Sequence, residues 1–144
     1  MLPDNNISIR EMQPDDYDRI YQLWINTTGM GISDADSYQN IAKFLNRNPG
    51  LSFVACNNDK VIGTILCGHD GRRGYIYHVA VAENHRGRGI GQMLVSNSLK
   101  RLKNEGIQKC HIFVFPENEI GNAFWKAIGW TRRDDIYLYS KDVY

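Results

Sequence analysis

Apolar positions along the chain change period several times, and each change marks an element. Ile7-Ser-Ile-Arg-Glu-Met12 alternates with a period of two, as a strand does. Pro14, Asp15 and Asp16 then form a helix start, with acids at the positive end of the dipole. Tyr17, Ile20, Leu23 and Trp24 fall on one face of the helix that follows, which fades at Asn26-Thr-Thr-Gly29. A second helix is predicted to start at Ser33 or Asp34. It carries Ile41, Phe44 and Leu45 as its apolar stripe and stops at Asn48-Pro49.

Residues 51–56 and 60–67 are apolar, β-rich runs joined by Asn57-Asn58-Asp59, the pattern of a hairpin. A turn-rich stretch over 68–74 leads into a strand at 75–82. Strict alternation puts Tyr75, Tyr77, Val79 and Val81 on one of its faces and Ile76, His78 and Ala80 on the other. A glycine-rich segment precedes a helix whose inward residues are Ile90, Leu94, Val95, Leu99 and Leu102. Gly106 is its expected stop, and Lys100, Arg101 and Lys103 suit its last turns. A strand at 109–115, a helix at 118–128 and a final strand at 136–140 complete the order β-α-α-β-β-β-α-β-α-β, a mixed α/β domain.

Composition narrows the class. With 144 residues the chain is expected to fold as one domain over 1–144, large enough to bury a core without a disulfide or metal staple. Hydrophobic residues at 42% and charged residues at 23% exclude disordered, collagen-like and coiled-coil chains. The net charge of +1 argues against a duplex nucleic-acid binder. That total hides an asymmetry: residues 1–70 carry nine acids and five bases, whereas 71–144 carry seven acids and twelve bases. A basic half facing an anion and random scatter of surface charge both fit those counts.

Cys56, Cys67 and Cys110 form no close pair, and His69, His78, His85 and His111 show no metal-ligand spacing beside them, so no metal is expected. Met1-Leu-Pro-Asp-Asn-Asn lacks the basic and apolar regions of a leader, and no apolar run reaches the roughly 18 residues of a membrane helix. The expected setting is cytoplasmic, with reduced thiols.

The sharpest local feature is strand, then Glu83-Asn-His-Arg-Gly-Arg-Gly-Ile-Gly91, then helix. Glycines let a ligand approach the backbone, and the unpaired N–H groups of a helix start attract phosphate oxygens. Arg86 and Arg88 add positive charge there, which suits a pyrophosphate. A Walker loop would need G-x-x-x-x-G-K-[ST], which is absent. A dinucleotide fingerprint needs G-x-G-x-x-G, whereas Gly87, Gly89 and Gly91 are spaced by two. A glycine-rich turn that binds nothing also fits this segment taken alone.

Arg86-x-x-Gly89-x-Gly91, directly after a strand, resembles the R/Q-x-x-G-x-G/A motif of the GNAT superfamily of acetyl-CoA-dependent N-acetyltransferases. Asn118-Glu-Ile-Gly-Asn-Ala-Phe-Trp-Lys-Ala-Ile-Gly-Trp130 resembles that family's N-x-x-A-x-x-x-Y-x-x-x-G-F segment at matching spacing. The element order agrees over nearly the whole chain, most strongly over 68–141. The resemblance implies a GNAT-like mixed, mostly antiparallel sheet with splayed central strands and about four flanking helices. It also implies an enzyme that moves acetyl from acetyl-CoA to a primary amine by direct attack in a ternary complex. A CoA-binding sensor or partner module with little catalysis is the alternative.

Residue by residue, the resemblance implies that Arg86, Gly87, Arg88, Gly89, Ile90, Gly91 and Gln92 take the pyrophosphate. Val79 and Val81 would bond the pantetheine arm, and an amide near Val79 or Ala80 would polarise the thioester carbonyl. Asn118 is expected beside the pantetheine. The catalytic groups are less defined. Tyr75 stands near where some relatives carry a glutamate, and His78, which titrates near neutrality, is a candidate base, although alternation puts it opposite Tyr75. The family's acid, a tyrosine, falls at Trp125, an indole that can touch sulfur or wall the acyl pocket but supplies no proton. Asp34, Asp36 and Asp70 are candidates to attract a cationic amine, with Trp24, Tyr75 and Tyr77 as pocket walls. The expected partner is an amine substrate, with neither nucleic acid nor membrane, and self-association as a homodimer stays open.

Overall fold

The structure, a computed structural model, describes residues 6–144, so Met1 to Asn5 of the N-terminal stretch considered above lie outside the described residues. The chain divides into two compact units, one ending at Phe113 and one spanning Val114–Tyr144. The first holds five strands in the order β1-β2-β3-β4-β5. These are β1 (Ile7–Glu11), β2 (Phe53–Asn57), β3 (Lys60–His69), β4 (Gly74–Val81) and β5 (Cys110–Ile112), with helices α1 (Tyr17–Ile25), α2 (Tyr38–Arg47) and α3 (Ile90–Asn104). All neighbouring strands run antiparallel except β4 and β5, which are parallel.

Short-range chemistry builds most of these elements. The β2–β3 hairpin turns through Asn58 at φ +56°, a left-handed conformation that asparagine tolerates. Both early helices begin later than their start signals, because a 3-10 turn comes first: Pro14–Asp16 before α1 and Asp34–Asp36 before α2. Asp16 accepts from Gln13 N–H at 2.8 Å and takes the Arg10 guanidinium on both oxygens, at 2.7 and 2.9 Å. That carboxylate ties β1 to the entry of α1. Gly106 adopts φ +82° just after α3, and Ile107 N–H reaches back to the Leu102 carbonyl at 3.0 Å, which satisfies the helix end.

The helices cover both faces of the sheet. Adjacent residues of β3 show this: a Cβ on Gly63 would lie 3.1 Å from Leu94 of α3, whereas Thr64 takes a hydrogen bond from Trp24 of α1. Met12, Ile20, Trp24, Ile41, Leu45, Val54, Leu66 and Ala80 form the core on the α1–α2 side. Against the other face α3 buries Ile90, Leu94, Val95 and Leu102. Ser98, not Leu99, completes that stripe, and its hydroxyl donates to the Leu51 carbonyl at 2.7 Å.

Three expectations are corrected. The strand at 109–115 shrinks to β5, which pairs only with Gly74–Ile76 before β4 continues without it. The final strand at 136–140 does not form. Tyr137 and Tyr139 are about nine-tenths exposed, and alternation without a pairing partner does not make a strand. The alternation of β4 also breaks. Thr64 pairs with Ala80 but Leu66 pairs with Tyr77, so Ile65 faces two residues, His78 and Val79. His78 sits at φ +48° in this bulge. One extra residue reverses the parity beyond it. His78 and Ala80 therefore join Tyr75 and Tyr77 on the α1–α2 face, and Val79 and Val81 turn to the α3 face with Ile76.

The second unit contains α4 (Glu119–Ala127), capped by Asn118, whose Oδ1 accepts from Gly121 N–H at 2.9 Å. Among the described residues no helix is long and apolar enough to cross a membrane.

Candidate functional site

Two features of the first unit meet along β4. At its C-terminal end the chain passes through a 3-10 turn (Glu83–His85) into the loop 86–91 and then α3. Gly87 and Gly89 have φ +77° and +82°, and a Cβ on either would meet nothing within 4 Å. Gly89 is the N-cap of α3 and offers no side-chain acceptor to the first turn. The leading N–H groups of a 15-residue helix thus lack a side-chain cap, a fit for phosphate oxygens. Arg86, Arg88 and Gln92 are exposed beside them. Ile90 is buried in the core, so only its backbone is available to a ligand.

The second feature is the outer edge of β4. Past Ile76 no described strand pairs with it on the β5 side. Ala82 N–H bonds the Ile62 carbonyl on the β3 side at 2.8 Å, so by alternation the peptide groups of Val81 and Val79 face the open edge. The Val81 carbonyl there accepts Arg86 Nε at 3.0 Å. One anchor of the loop is therefore a backbone group for which the family resemblance implies a pantetheine contact, and the carbonyl's second lone pair stays available.

Next along that edge is the bulge. His78 Nε2 lies 2.7 Å from Asp36 Oδ1, and the two side chains are 14% and 9% exposed. The Trp24 ring lies beneath the imidazole, with centroids 4.6 Å apart. Asp36 is itself fixed. Its Oδ2 accepts Ser33 N–H at 3.0 Å, and its carbonyl accepts the Tyr17 hydroxyl at 2.7 Å. Thr64 accepts from Trp24 Nε1 and donates to the His78 carbonyl, both at 2.9 Å.

The predicted residues separate accordingly. Trp24 does not line an open pocket; it is fully buried and supports His78 from below. Asp70 accepts the Arg72 and Arg73 N–H groups, which hold its carboxyl below the usual range, and it shapes the exposed turn before β4. Asp34 is exposed, and its carbonyl holds Asn40. Tyr75 stacks near Phe113 at 6.2 Å, and Tyr77 meets the edge of Phe44 at 6.0 Å. Burial, with Tyr75 close by, pushes the Tyr77 phenol up, so it keeps its proton near neutrality. In the second unit Trp125 is buried, its ring 4.6 Å from Trp130 and 5.0 Å from Phe124. The spacing of 78 from 36 concealed their pairing. The one local signal was Ser33-x-x-Asp36, a capping box that fixes where the carboxylate sits.

The chain has known relatives in both sequence and fold. The sequence pattern of the acetyltransferase (GNAT) family matches residues 17–130. An acetyltransferase of Yersinia pestis is 30% identical over 132 residues, 92% of this chain and 93% of that protein. N-alpha-acetyltransferase 30 of Schizosaccharomyces pombe is 35% identical over 101 residues, 67% of each chain. In fold, the PaiA N-acetyltransferase of Thermoplasma acidophilum, solved in complex with coenzyme A, superposes with a TM-score of 0.77 at 18% identity, covering 89% of this chain and 91% of that one. The family match over most of the chain and the relatives at 30% identity or more decide the class: the chain belongs to the GNAT family and is an acetyltransferase.

Proposed function

We propose that this enzyme moves the acetyl group of acetyl-CoA to a primary amine, on a small molecule or a peptide, by direct attack with both substrates bound. The uncapped head of α3 behind Gly87 and Gly89, at the end of the unpaired edge of β4, carries the reading. In this reading backbone groups of 86–92 hold the pyrophosphate, with Arg86 and Arg88 adding charge. Val79 and Val81 bond the pantetheine arm, and an amide at Val79 or Ala80 faces the thioester oxygen. For Asn118 and Trp125 a cofactor contact rests on the sequence resemblance alone. Residues 1–144 act as one acetyltransferase domain in this reading, supported by a family match that spans both units. The cytoplasm is the proposed setting, supported by three free cysteines.

Calorimetry with acetyl-CoA is the first test, and no binding at millimolar concentration overturns the reading. The second is thiol release with spermidine, an aminoglycoside, free amino acids and short peptides with free N-termini, with the product identified by mass. Binding without CoA release across that panel overturns amine transfer.

A further inference from the structure

We infer that His78 is the proton acceptor of the transfer and that Asp36 is its positioning residue, the pair being assembled by the bulge in β4. This rests on the acetyltransferase reading above.

The bulge gives the imidazole its place. An unbroken β4 would carry His78 on the α3 face, away from Tyr75 and Tyr77. The inserted residue turns it to the α1–α2 face, at the point where β4 has left β5. From Val81 back to His78 is about 10 Å of strand at ~3.3 Å per residue. His78 is thus the first titratable side chain met along the open edge when moving away from the α3 head. Histidine accepts the left-handed conformation better than most residues, so the bulge and the chemistry ask for compatible side chains.

Asp36 gives the imidazole its tautomer. A carboxylate 2.7 Å from Nε2 keeps the proton on that nitrogen, which leaves the Nδ1 lone pair as the basic site. Among the described residues Nδ1 has no hydrogen-bond partner. The 3-10 turn before α2 contributes Asp36 to the ring, α1 contributes the Trp24 ring, and β3 contributes the Thr64 hydroxyl, on the His78 carbonyl. The Tyr17 phenol is one hydrogen bond further away, on the Asp36 carbonyl. Among the described residues Asp36 is the one acid bonded to the ring, and it fixes which ring nitrogen is free to accept a proton.

The step balances. His78 Nδ1 takes one proton from the substrate ammonium, which frees the nitrogen lone pair. The C–N bond forms at the acetyl carbonyl carbon, and the C–S bond breaks with its electron pair on sulfur. The second nitrogen proton goes to that thiolate, and the imidazolium returns the first to solvent.

The test uses the full chain with the most active amine of the panel. His78→Asn suits the bulge, because asparagine also tolerates φ near +50°. It is expected to leave acetyl-CoA affinity within about twofold and to lower kcat/KM by about 10²–10⁴. Imidazole added to the His78→Ala variant is expected to restore part of the rate. Asp36→Asn is expected to lower kcat about tenfold or more while KM for the amine stays within about twofold, since the imidazole loses the partner that fixes its tautomer. The ring nitrogen NMR shifts are expected to report the Nε2–H tautomer in the wild type and a mixture of tautomers in Asp36→Asn, a readout that needs no acceptor amine. An active enzyme whose kcat is unchanged by both variants overturns the inference, as does a ring tautomer that Asp36→Asn leaves in place. Failure of the acetyltransferase reading looks different: a wild-type protein that binds no acetyl-CoA or releases no CoA.

Discussion

Trp24 Nε1 donates to Thr64 Oγ1 at 2.9 Å across the α1–β3 interface, with neither residue exposed to solvent. The same hydroxyl donates onward to the His78 carbonyl at 2.9 Å. A single buried hydroxyl therefore joins the core of α1 to the bulge that presents the imidazole. Thr64→Val preserves the shape and removes both bonds, leaving a buried donor and a buried acceptor unpaired. The expected loss is about 2–3 kcal/mol, read as a lower urea midpoint at unchanged slope. A loss under about 0.5 kcal/mol would show that water replaces the hydroxyl.

Gly89 bears on the cofactor. With φ +82° and open space where a Cβ would stand, it admits a side chain sterically but not conformationally. Gly89→Ala is expected to cost about 1–2 kcal/mol of stability through the left-handed backbone. Gly89→Glu adds a carboxylate at the mouth of the α3 N–H groups and is expected to weaken acetyl-CoA binding at least tenfold beyond Gly89→Ala, measured by calorimetry. Equal affinity in the two folded variants moves the pyrophosphate away from this loop.

Asp16 is an anchor whose contribution depends on pH. Burial alone raises its carboxyl, but the Arg10 guanidinium, the Gln13 N–H and the Arg19 charge together outweigh it and hold the group below the usual carboxylate range. An acid depressed in the folded state stabilises above its unfolded value of about 3.9, and that contribution fades as pH falls through the folded value. Asp16→Asn is expected to cost about 2–3 kcal/mol at pH 7. The gap between variant and wild type should narrow below about pH 4. Denaturation series at pH 7 and pH 3 check this, and a gap that widens in acid contradicts it.

Gly68 sets how closely α2 approaches the sheet. A Cβ there would stand 2.7 Å from Asn48 Nδ2 and 2.9 Å from Phe44 Cζ. Asn48 cannot readily swing away, because its Oδ1 holds His69 N–H at 3.0 Å. Gly68→Ala is expected to destabilise by about 1–3 kcal/mol through overpacking, read in thermal unfolding, and to displace Phe44 from its edge contact with Tyr77. Wild-type stability would mean that α2 gives way at little cost.

What the sequence determined by itself was local. Periodicity located the strands and helices, Asn58 marked the hairpin, and the spacing of Arg86, Gly89 and Gly91 identified the loop at the head of α3, because each rests on the conformational preference of a few adjacent residues. Tertiary structure decided the rest. Whether 136–140 becomes a strand depends on a pairing partner, which no alternation of side chains supplies. The face of β4 on which His78 lies depends on β3 offering one residue, Ile65, against His78 and Val79, and only the pairing of the two strands contains that mismatch. Asp36 lies 42 positions before His78, in a turn read as a helix start. Their contact exists because the bulge turns the ring toward a carboxylate already fixed by its own capping box, a coincidence of two local structures that only the folded chain brings within 2.7 Å.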